Sequence, residues 1–182
     1  PQANALRFSD DGQSLAIGYS NGMFREYSVK ARKEAYCLKK FHSNRIVDIV
    51  AVPLPSKKIG SWITASWDGT IRSIKKKRQS QALLLCKPEL TGPCISKDGK
   101  RLFVTSHTGE IFLLNISKKL KIAKKVTNQE GWLAFPACNS KFLIAASPNE
   151  NALSLFSLTG EPLSSKNIAT VDVQEKRVVT RC

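Results

Sequence analysis

Apolar and polar residues alternate along most of the chain with a period of two, and no segment keeps a helical stripe over three turns. This alternation predicts short β-strands that each bury one face. Strands are predicted at 5–9, 14–19 and 23–29. The dipeptide Asn21-Gly22 before the third strand is typical of a tight hairpin turn, because both residue types tolerate positive φ. The chain is therefore expected to begin with an antiparallel meander of three strands.

The order of strand, turn, strand, tight turn and strand returns three more times. The residues that open the four tight turns are Asn21, Asp68, Thr108 and Glu150. Successive tight turns are 47, 40 and 42 residues apart, and the segment 8–17 matches 95–104 without a gap. A period of about 40–45 residues with three or four strands per unit is typical of propeller blades.

Polar or basic segments between these meanders can supply an outer strand for each unit, as expected of a sheet edge that faces water. The predicted fold is therefore all-β, a β-propeller of four-stranded antiparallel blades with about four to five blades in this chain. The whole chain, 1–182, is expected to be a single propeller segment. Its repeats are predicted at approximately 1–33, 34–80, 81–120 and 121–160, with a partial fifth repeat at 161–182.

The segment 66–72, Ser-Trp-Asp-Gly-Thr-Ile-Arg, resembles the blade motif of the WD-repeat (WD40-like) β-propeller family, and His42 stands where that family usually has the His of a Gly-His pair. The resemblance covers nearly the whole chain, as divergent repeats. In that family a His, a Ser or Thr, an Asp and a strand Trp form a hydrogen-bonded bracket that stabilises the blade. The resemblance implies that His42, Ser66 and Asp68 are three members of this structural bracket. Ile74 occupies the position of the Trp, and at this position near the end of the third strand none of the four repeats has the Trp-Asp dipeptide that names the family.

A propeller blade leaves its faces to be covered by neighbouring blades, so the ring has to close. Three arrangements stay open from the sequence. The chain is part of a larger six- or seven-bladed ring, it closes alone as a ring of four or five blades, or it forms an open array that pairs with a copy or a partner. In the first arrangement the isolated chain would expose strand edges and aggregate readily.

The chain has 29 Lys and Arg residues against 14 Asp and Glu residues, a net charge of +15. Such an excess favours anionic partners, such as RNA, DNA, acidic proteins or lipid headgroups. Basic residues cluster after the third strand of the first three repeats, where a propeller would place them on one rim to bind phosphates without sequence preference. The nucleic-acid candidates are Lys30, Arg32, Lys33, Lys75, Lys76, Lys77, Arg78, Lys118, Lys119, Lys121, Lys124 and Lys125. The alternative interpretation is a solvated strand edge that resists aggregation.

The opposite face would carry the tight turns and the loops that start each blade, which WD-repeat proteins commonly use to hold peptides or proteins. Candidates for contact with a partner on this face are Asn21, Asn44, Arg45, Trp67, His107 and Trp132. Trp67 is the leading candidate, because an aromatic side chain beside a hairpin turn can anchor an interface. Packing between adjacent blades is its alternative role.

No catalytic motif, metal-ligand spacing or phosphate-binding glycine loop occurs, so no enzymatic activity, metal, cofactor or small-molecule substrate is expected. Five widely spaced cysteines fit reduced thiols in an intracellular protein, cytoplasmic or nuclear, the nucleolus included. No apolar run is long enough to span a membrane, and the first residues do not resemble a signal peptide. The expected function is a non-enzymatic scaffold that binds other proteins in a larger complex. The alternative is an RNA- or ribonucleoprotein-associated propeller of the ribosome-biogenesis type.

Overall fold

The computed structural model describes residues 1–53, 61–75, 78–79, 82–86, 89–116, 120–127, 134–138, 142–147 and 152–157. All regular elements in these ranges are β-strands. The strands are β1 (Ala3–Phe8), β2 (Ser14–Tyr19), β3 (Phe24–Ser28), β4 (Lys33–Leu38), β5 (Ile46–Ala51), β6 (Trp62–Ser66), β7 (Thr70–Lys75), β8 (Arg78–Gln79), β9 (Leu83–Leu84), β10 (Leu90–Ile95), β11 (Arg101–Ser106), β12 (Glu110–Ile116), β13 (Leu120–Thr127), β14 (Ala134–Cys138), β15 (Phe142–Ser147) and β16 (Ala152–Ser157). Within the described ranges no helix has the length and apolar character needed to cross a membrane.

The strands form four antiparallel sheets in which neighbours follow chain order. Sheet 1 contains β1–β4, sheet 2 contains β5–β9, sheet 3 contains β10–β13 and sheet 4 contains β14–β16. In sheet 2 the short strands β8 and β9 pair with the two ends of β7 and together take the place of one outer strand. The all-β fold and the repeated meander predicted from the sequence are confirmed. In sheets 1–3 the outer strand pairs with the three strands that precede it in the chain. The predicted repeats after the first begin with the outer strand, so the sheets are offset by one strand from those repeats.

The turns that follow the first strands of sheets 1 and 3 share one hydrogen-bond pattern. In sheet 1 the Ser9 hydroxyl donates to the Asp11 carboxylate at 2.6 Å and accepts the amide of the first residue of β2 at 2.9 Å. In sheet 3 the Ser96 hydroxyl donates to Asp98 at 2.6 Å and accepts the amide of the first residue of β11 at 3.0 Å. The two segments that matched without a gap in the sequence therefore have the same local structure.

The four sheets lie side by side with their first strands in a row. β1 contacts β5, β5 contacts β10, and β10 contacts β14. The core between sheets 1 and 2 contains Phe24, Ile46 and Trp62, and that between sheets 2 and 3 contains Ile63, Leu102 and Phe112. Burial of a side chain of this size stabilises the fold by roughly 1.5–3 kcal/mol. Burial of these side chains between the sheets therefore stabilises the array.

Sheet 1 has an apolar face that no other described sheet covers. Arg7 points toward sheet 2, where its Nε donates to the carbonyl of Ile49 at 3.1 Å. Its neighbours Leu6 and Phe8 therefore point the other way, and they are 63% and 58% exposed. A single exposed apolar residue is ordinary, but two on one strand form a patch that another surface can cover.

The tight turn of sheet 1 packs directly against the loop that leads into sheet 2. Gly22 has a φ of 76°, and its carbonyl accepts the amide of His42 at 3.0 Å. A Cβ atom at Gly22 would fall on the carbonyl oxygen of His42. Gly69 in the next tight turn likewise accepts the amide of Leu85 at 2.9 Å. These backbone contacts fix the loops that carry the candidate site.

Candidate functional site

The bracket expected from the sequence surrounds His42, a residue between β4 and β5 that is only 4% exposed. Its Nδ1 lies 3.0 Å from Oδ2 of Asp68, and its Nε2 lies 2.8 Å from Oγ1 of Thr64. The Thr70 hydroxyl donates to the other carboxylate oxygen of Asp68 at 2.6 Å, and the Ser43 amide donates to Oδ2 at 3.0 Å. One carboxylate therefore ties the loop before β5 to the tight turn between β6 and β7.

At neutral pH the bracket contains a neutral imidazole, that of His42, beside the ionised carboxylate of Asp68. Burial lowers the pKa of His42, because desolvation of the imidazolium outweighs the favourable effect of Asp68. Burial alone would raise the pKa of Asp68, but hydrogen bonds from His42 and Thr70 hold that pKa well below its ordinary value. In this charge state Nδ1–H of His42 donates to Asp68 and Nε2 accepts from Thr64. Both ring nitrogens are therefore satisfied in a buried position.

The hydroxyl that contacts the imidazole is that of Thr64, and Ser66 makes a different set of bonds. Ser66 Oγ donates to the carbonyl of Asn44 at 3.1 Å and accepts the amide of Asp68 at 3.1 Å. The structure thus brings His42 and Asp68 into direct contact and links Ser66 to Asp68 through the backbone. Thr64 was missed from the sequence, because residues two apart on a strand share a face and spacing does not distinguish them.

The position of the family's Trp holds an aliphatic side chain that cannot extend the hydrogen-bonded network. Ile74 on β7 is fully buried and pairs opposite Trp62 on β6. The Trp62 indole instead donates to Glu26 of sheet 1 at 2.9 Å. The bracket in sheet 2 therefore ends at Thr64.

Three predicted partner-contact residues lie together on the face that carries the tight turns. Cζ of Arg45 lies 4.3 Å from the centroid of the Trp67 ring. The Trp67 and His107 rings meet edge to face, with centroids 6.2 Å apart and an interplanar angle of 75°. Nε2 of His107 lies 3.6 Å from Oε2 of Glu89. We call these four residues, Arg45, Trp67, His107 and Glu89, the Trp67 cluster; it spans sheets 2 and 3.

Backbone hydrogen bonds hold the Trp67 cluster in place. The Trp67 amide donates to the Arg45 carbonyl at 3.0 Å, and the His107 amide donates to the Glu89 carbonyl at 3.0 Å. In sheet 2, Arg45 directly precedes the first strand and Trp67 directly follows the second strand. Glu89 and His107 hold the same two positions in sheet 3. The bracket around His42 begins three residues before Arg45 and holds the same loop. The cluster is therefore built on a fixed backbone.

The other candidates for partner contact either accept hydrogen bonds from amides in their own loops or lie outside the described residues. Oδ1 of Asn21 accepts the amide of Met23 at 3.2 Å and closes its own turn. Oδ1 of Asn44 accepts the amide of Arg45 at 2.7 Å. Trp132 lies outside the described residues.

Basic residues of the first two predicted clusters lie at the end of the sheets opposite the Trp67 cluster, where the third strands end. Lys30 and Arg32 are exposed in the turn between β3 and β4, and Lys33 is exposed at the start of β4. Lys75 is exposed at the end of β7, and Arg78 begins β8. Basic groups from sheets 1 and 2 are therefore presented on one face.

The third basic cluster is spread along β13. Lys121 is exposed and lies opposite Asn115, near the end of β12, whereas Lys124 and Lys125 lie opposite Leu113 and Phe112, toward the tight turn. Lys125 also forms an ion pair with Glu110 at 2.5 Å. Of this cluster's described members, only Lys121 shares the face of the first two clusters. The predicted residues outside the described ranges are Lys76, Lys77, Lys118 and Lys119.

No protein-family model matches the chain, and no curated protein matches it. Solved structures match it along most of its length at low sequence identity. The Mitotic Checkpoint Complex matches at 16% identity with a TM-score of 0.76, over 89% of this chain and 50% of that chain. The WD40 β-propeller domain of Doa1 matches at 17% identity with a TM-score of 0.69, over 88% of this chain and 53% of that chain. The WD40 repeats of RRP9 match at 10% identity with a TM-score of 0.75, over 85% of this chain and 47% of that chain.

The chain has the fold of the WD40 β-propellers. The family resemblance and the blade architecture predicted from the sequence are thereby confirmed. The chain spans about half the length of each of these structures. Each of its sheets corresponds to a WD40 blade, and sheets 1–4 are named blades 1–4 below.

The third WD40 blade builds a different network at the bracket positions. Cys86 precedes the first strand of blade 3 by four residues, as His42 does in blade 2. Burial raises the pKa of Cys86 to about 11, so this thiol is protonated at neutral pH. The Ser106 and Thr108 hydroxyls lie 2.9 Å apart, and Thr108 donates to Glu110 at 3.2 Å. The part of the chain that the structure describes contains no group of three or more His, Cys, Asp or Glu residues arranged to hold a metal ion.

Proposed function

We propose that this WD40 propeller is a non-enzymatic intracellular scaffold that docks protein partners through the face carrying its tight turns. The observation that carries the proposal is the Trp67 cluster, in which a guanidinium lies over an indole 4.3 Å away and a second ring meets the indole edge-on. Trp and Arg are the side chains most enriched at binding hot spots. Their position on one face of the blades suits contact with a folded partner or a peptide.

The cluster is also preorganised for binding. Arg45 and Trp67 are joined by a backbone hydrogen bond, and the loop that carries Arg45 is held by the bracket of His42 and Asp68. A surface whose side chains are already ordered loses less conformational entropy on binding.

The test compares the proteins recovered with tagged full-length protein and with two variants. Trp67→Ala removes the centre of the cluster, and Val29→Ala removes an exposed apolar side chain on the opposite face. Truncation of a hot-spot residue costs at least about 2 kcal/mol of binding free energy. Trp67→Ala is therefore expected to lower partner recovery about thirtyfold, while Val29→Ala leaves it unchanged. Partners retained by Trp67→Ala and lost by Val29→Ala would contradict the proposal.

The second candidate function is association with RNA, which the basic residues of blades 1 and 2 favour. Lys30, Arg32, Lys33 and Lys75 are exposed at the same end of two neighbouring blades, in a chain of net charge +15. Such a surface would bind phosphates in a salt-dependent, sequence-independent way.

A matched pair of charge variants tests this candidate. Lys30→Gln/Lys33→Gln neutralises two lysines on the proposed surface, and Lys39→Gln/Lys40→Gln neutralises two exposed lysines on the tight-turn face. The first variant is expected to weaken binding of a generic single-stranded RNA and to reduce the salt slope by about 0.7 for each phosphate that a lysine no longer neutralises. An equal effect of the two variants, or indifference of the wild type to RNA at low salt, would rule this candidate out.

A further inference from the structure

Two cysteines occupy the same register position on the first strands of neighbouring blades. Cys94 pairs opposite Phe103 in blade 3, and Cys138 pairs opposite Leu143 in blade 4. Each lies four residues after the start of its strand and follows a register shift between the first and second strands. Since β10 contacts β14, the two positions lie at the same height on adjacent strands.

The two thiols are also in contact. The Cys94 side chain forms a hydrogen bond with the thiol of Cys138, and both side chains are part-buried. This hydrogen bond lowers the pKa of Cys138 and outweighs the opposite effect of burial. A lowered pKa increases the thiolate fraction, and the thiolate is the reactive form of cysteine. Cys86 differs in this respect, because burial raises its pKa to about 11.

We propose that Cys94 and Cys138 form a redox-sensitive pair that closes reversibly into a disulfide between blades 3 and 4. The two side chains are hydrogen-bonded in the reduced state and lie on strands that contact each other, which is the proximity that a disulfide between them requires. Both side chains are partly accessible, and a small oxidant can therefore reach them.

The oxidant in the proposed reaction is hydrogen peroxide. The Cys138 thiolate attacks one peroxide oxygen, which breaks the O–O bond, gives a sulfenic acid at Cys138 and releases hydroxide. The Cys94 thiol then attacks the Cys138 sulfur, the S–O bond breaks, and water leaves as the disulfide forms. In sum, two thiols lose two protons and two electrons, and one peroxide becomes two waters. Two molecules of a low-molecular-weight thiol such as glutathione reverse the reaction and become its disulfide.

Closure is expected to stabilise the contact between blades 3 and 4. The disulfide would close a loop of 45 residues, 94–138, and a cross-link over a loop of this length restricts the unfolded chain. The oxidised protein is expected to melt about 5 °C or more above the reduced protein. The change is local to two blades and involves none of the residues of the Trp67 cluster.

The test treats the full chain with hydrogen peroxide, alkylates the remaining thiols and identifies linked peptides by mass spectrometry. The wild type is expected to yield a peptide pair joined through Cys94 and Cys138, with a higher melting temperature that dithiothreitol reverses. Cys94→Ser is expected to lose the linked pair and the thermal shift, and to leave Cys138 as a sulfenic acid that a dimedone probe labels. Cys86→Ser is the matched control and is expected to behave as the wild type.

Two results would overturn the proposal. The first is peroxide treatment that leaves both thiols open to alkylation or links either one to another cysteine, such as Cys182. The second is a thermal shift of equal size in Cys94→Ser. Cys138→Ser is likewise expected to lose the linked pair. If that variant does not fold, the Cys94→Ser and Cys94→Ala variants decide the question, because Cys94 belongs to neither the bracket nor the Trp67 cluster.

Discussion

The Trp62 indole in blade 2 donates a hydrogen bond of 2.9 Å to the Glu26 carboxylate in blade 1, and both side chains are buried. Tyr36 lies opposite Glu26 on the next strand, and burial together with the nearby carboxylate raises the pKa of Tyr36 well above its ordinary value. The carboxylate is therefore approached by a polar group from each of two blades. This contact adds a directional bond within the largely apolar core between blades 1 and 2.

Replacing Trp62 by Phe is expected to lower the free energy of unfolding by about 1–3 kcal/mol. The variant keeps an aromatic ring but removes the indole donor and leaves the buried Glu26 carboxylate with one partner fewer. Urea denaturation followed by circular dichroism measures the change. Trp67→Phe is the control and is expected to shift stability by no more than about 0.5 kcal/mol. Equal losses in the two variants would show that the bond between blades contributes nothing specific.

The stability of the protein is expected to fall as the pH is lowered from 7 to 5.5, because of His42. A histidine in the unfolded chain binds a proton below a pH of about 6.5, whereas burial lowers the pKa of His42 in the folded protein. The unfolded state therefore binds more protons in this window, and acidification favours it. A further loss is expected below a pH of about 4, since the folded pKa of Asp68 is also lowered.

Thermal melts of two histidine variants across this pH range check the assignment. His42→Gln is expected to be less stable than the wild type at pH 7 and to lose most of the slope between pH 7 and 5.5. His107→Gln removes the other histidine of the chain and is expected to keep that slope. An unchanged slope in His42→Gln would refute the description of the bracket as a neutral imidazole.

Alanine at two turn glycines separates backbone conformation from close packing. Gly12 and Gly22 both have positive φ, but a Cβ at Gly12 meets no atom within 4 Å, whereas one at Gly22 falls on the carbonyl of His42. Gly12→Ala is expected to lower the free energy of unfolding by about 1–2 kcal/mol, because alanine has to adopt the left-handed backbone conformation. Gly22→Ala is expected to cost clearly more, because the loop that carries the bracket has to move. Equal losses of unfolding free energy in the two variants, measured by denaturation, would mean that the loop carrying His42 can move at little energetic cost.

The uncovered face of blade 1 is expected to bind apolar probes when the 182-residue chain is studied alone. Leu6→Thr/Phe8→Thr should reduce the fluorescence of a hydrophobic dye and slow aggregation with little change in stability, because both side chains are largely exposed. Leu84→Thr, at a residue of blade 2 that is 53% exposed, is the control and should have little effect. Equal dye binding by the double variant and the wild type would place the apolar surface elsewhere.

Features set by a few neighbouring residues were accessible from the sequence. The period-two alternation predicted the strands, and the gap-free match of 8–17 with 95–104 corresponds to two turns that have the same hydrogen bonds. The contact of Arg45 with Trp67 was not predicted as a contact, although both residues were named as candidates for the same face. Residues 22 positions apart meet there only because the loop before β5 and the turn after β6 lie at one end of a sheet.

Features that depend on contacts between segments distant in the chain, within a blade or between blades, were not accessible from the sequence. Thr64 and Ser66 are equivalent by alternation, and only the distance to His42 distinguishes them. The bond from Trp62 to Glu26 joins residues 36 positions apart in different blades, so no local pattern records it. The same holds for Cys94 and Cys138, whose contact follows from the register of two blades rather than from their spacing.

Site-specific photo-cross-linking tests the central claim most directly, namely that the tight-turn face docks protein partners. A photo-reactive amino acid is placed at Thr108, exposed in the tight turn beside the Trp67 cluster, or at Gln13, exposed on the opposite face. The account predicts that the probe at Thr108 cross-links a protein partner, that Trp67→Ala abolishes this product, and that the probe at Gln13 gives none. Partner cross-links from Gln13 that survive Trp67→Ala, with none from Thr108, would contradict it.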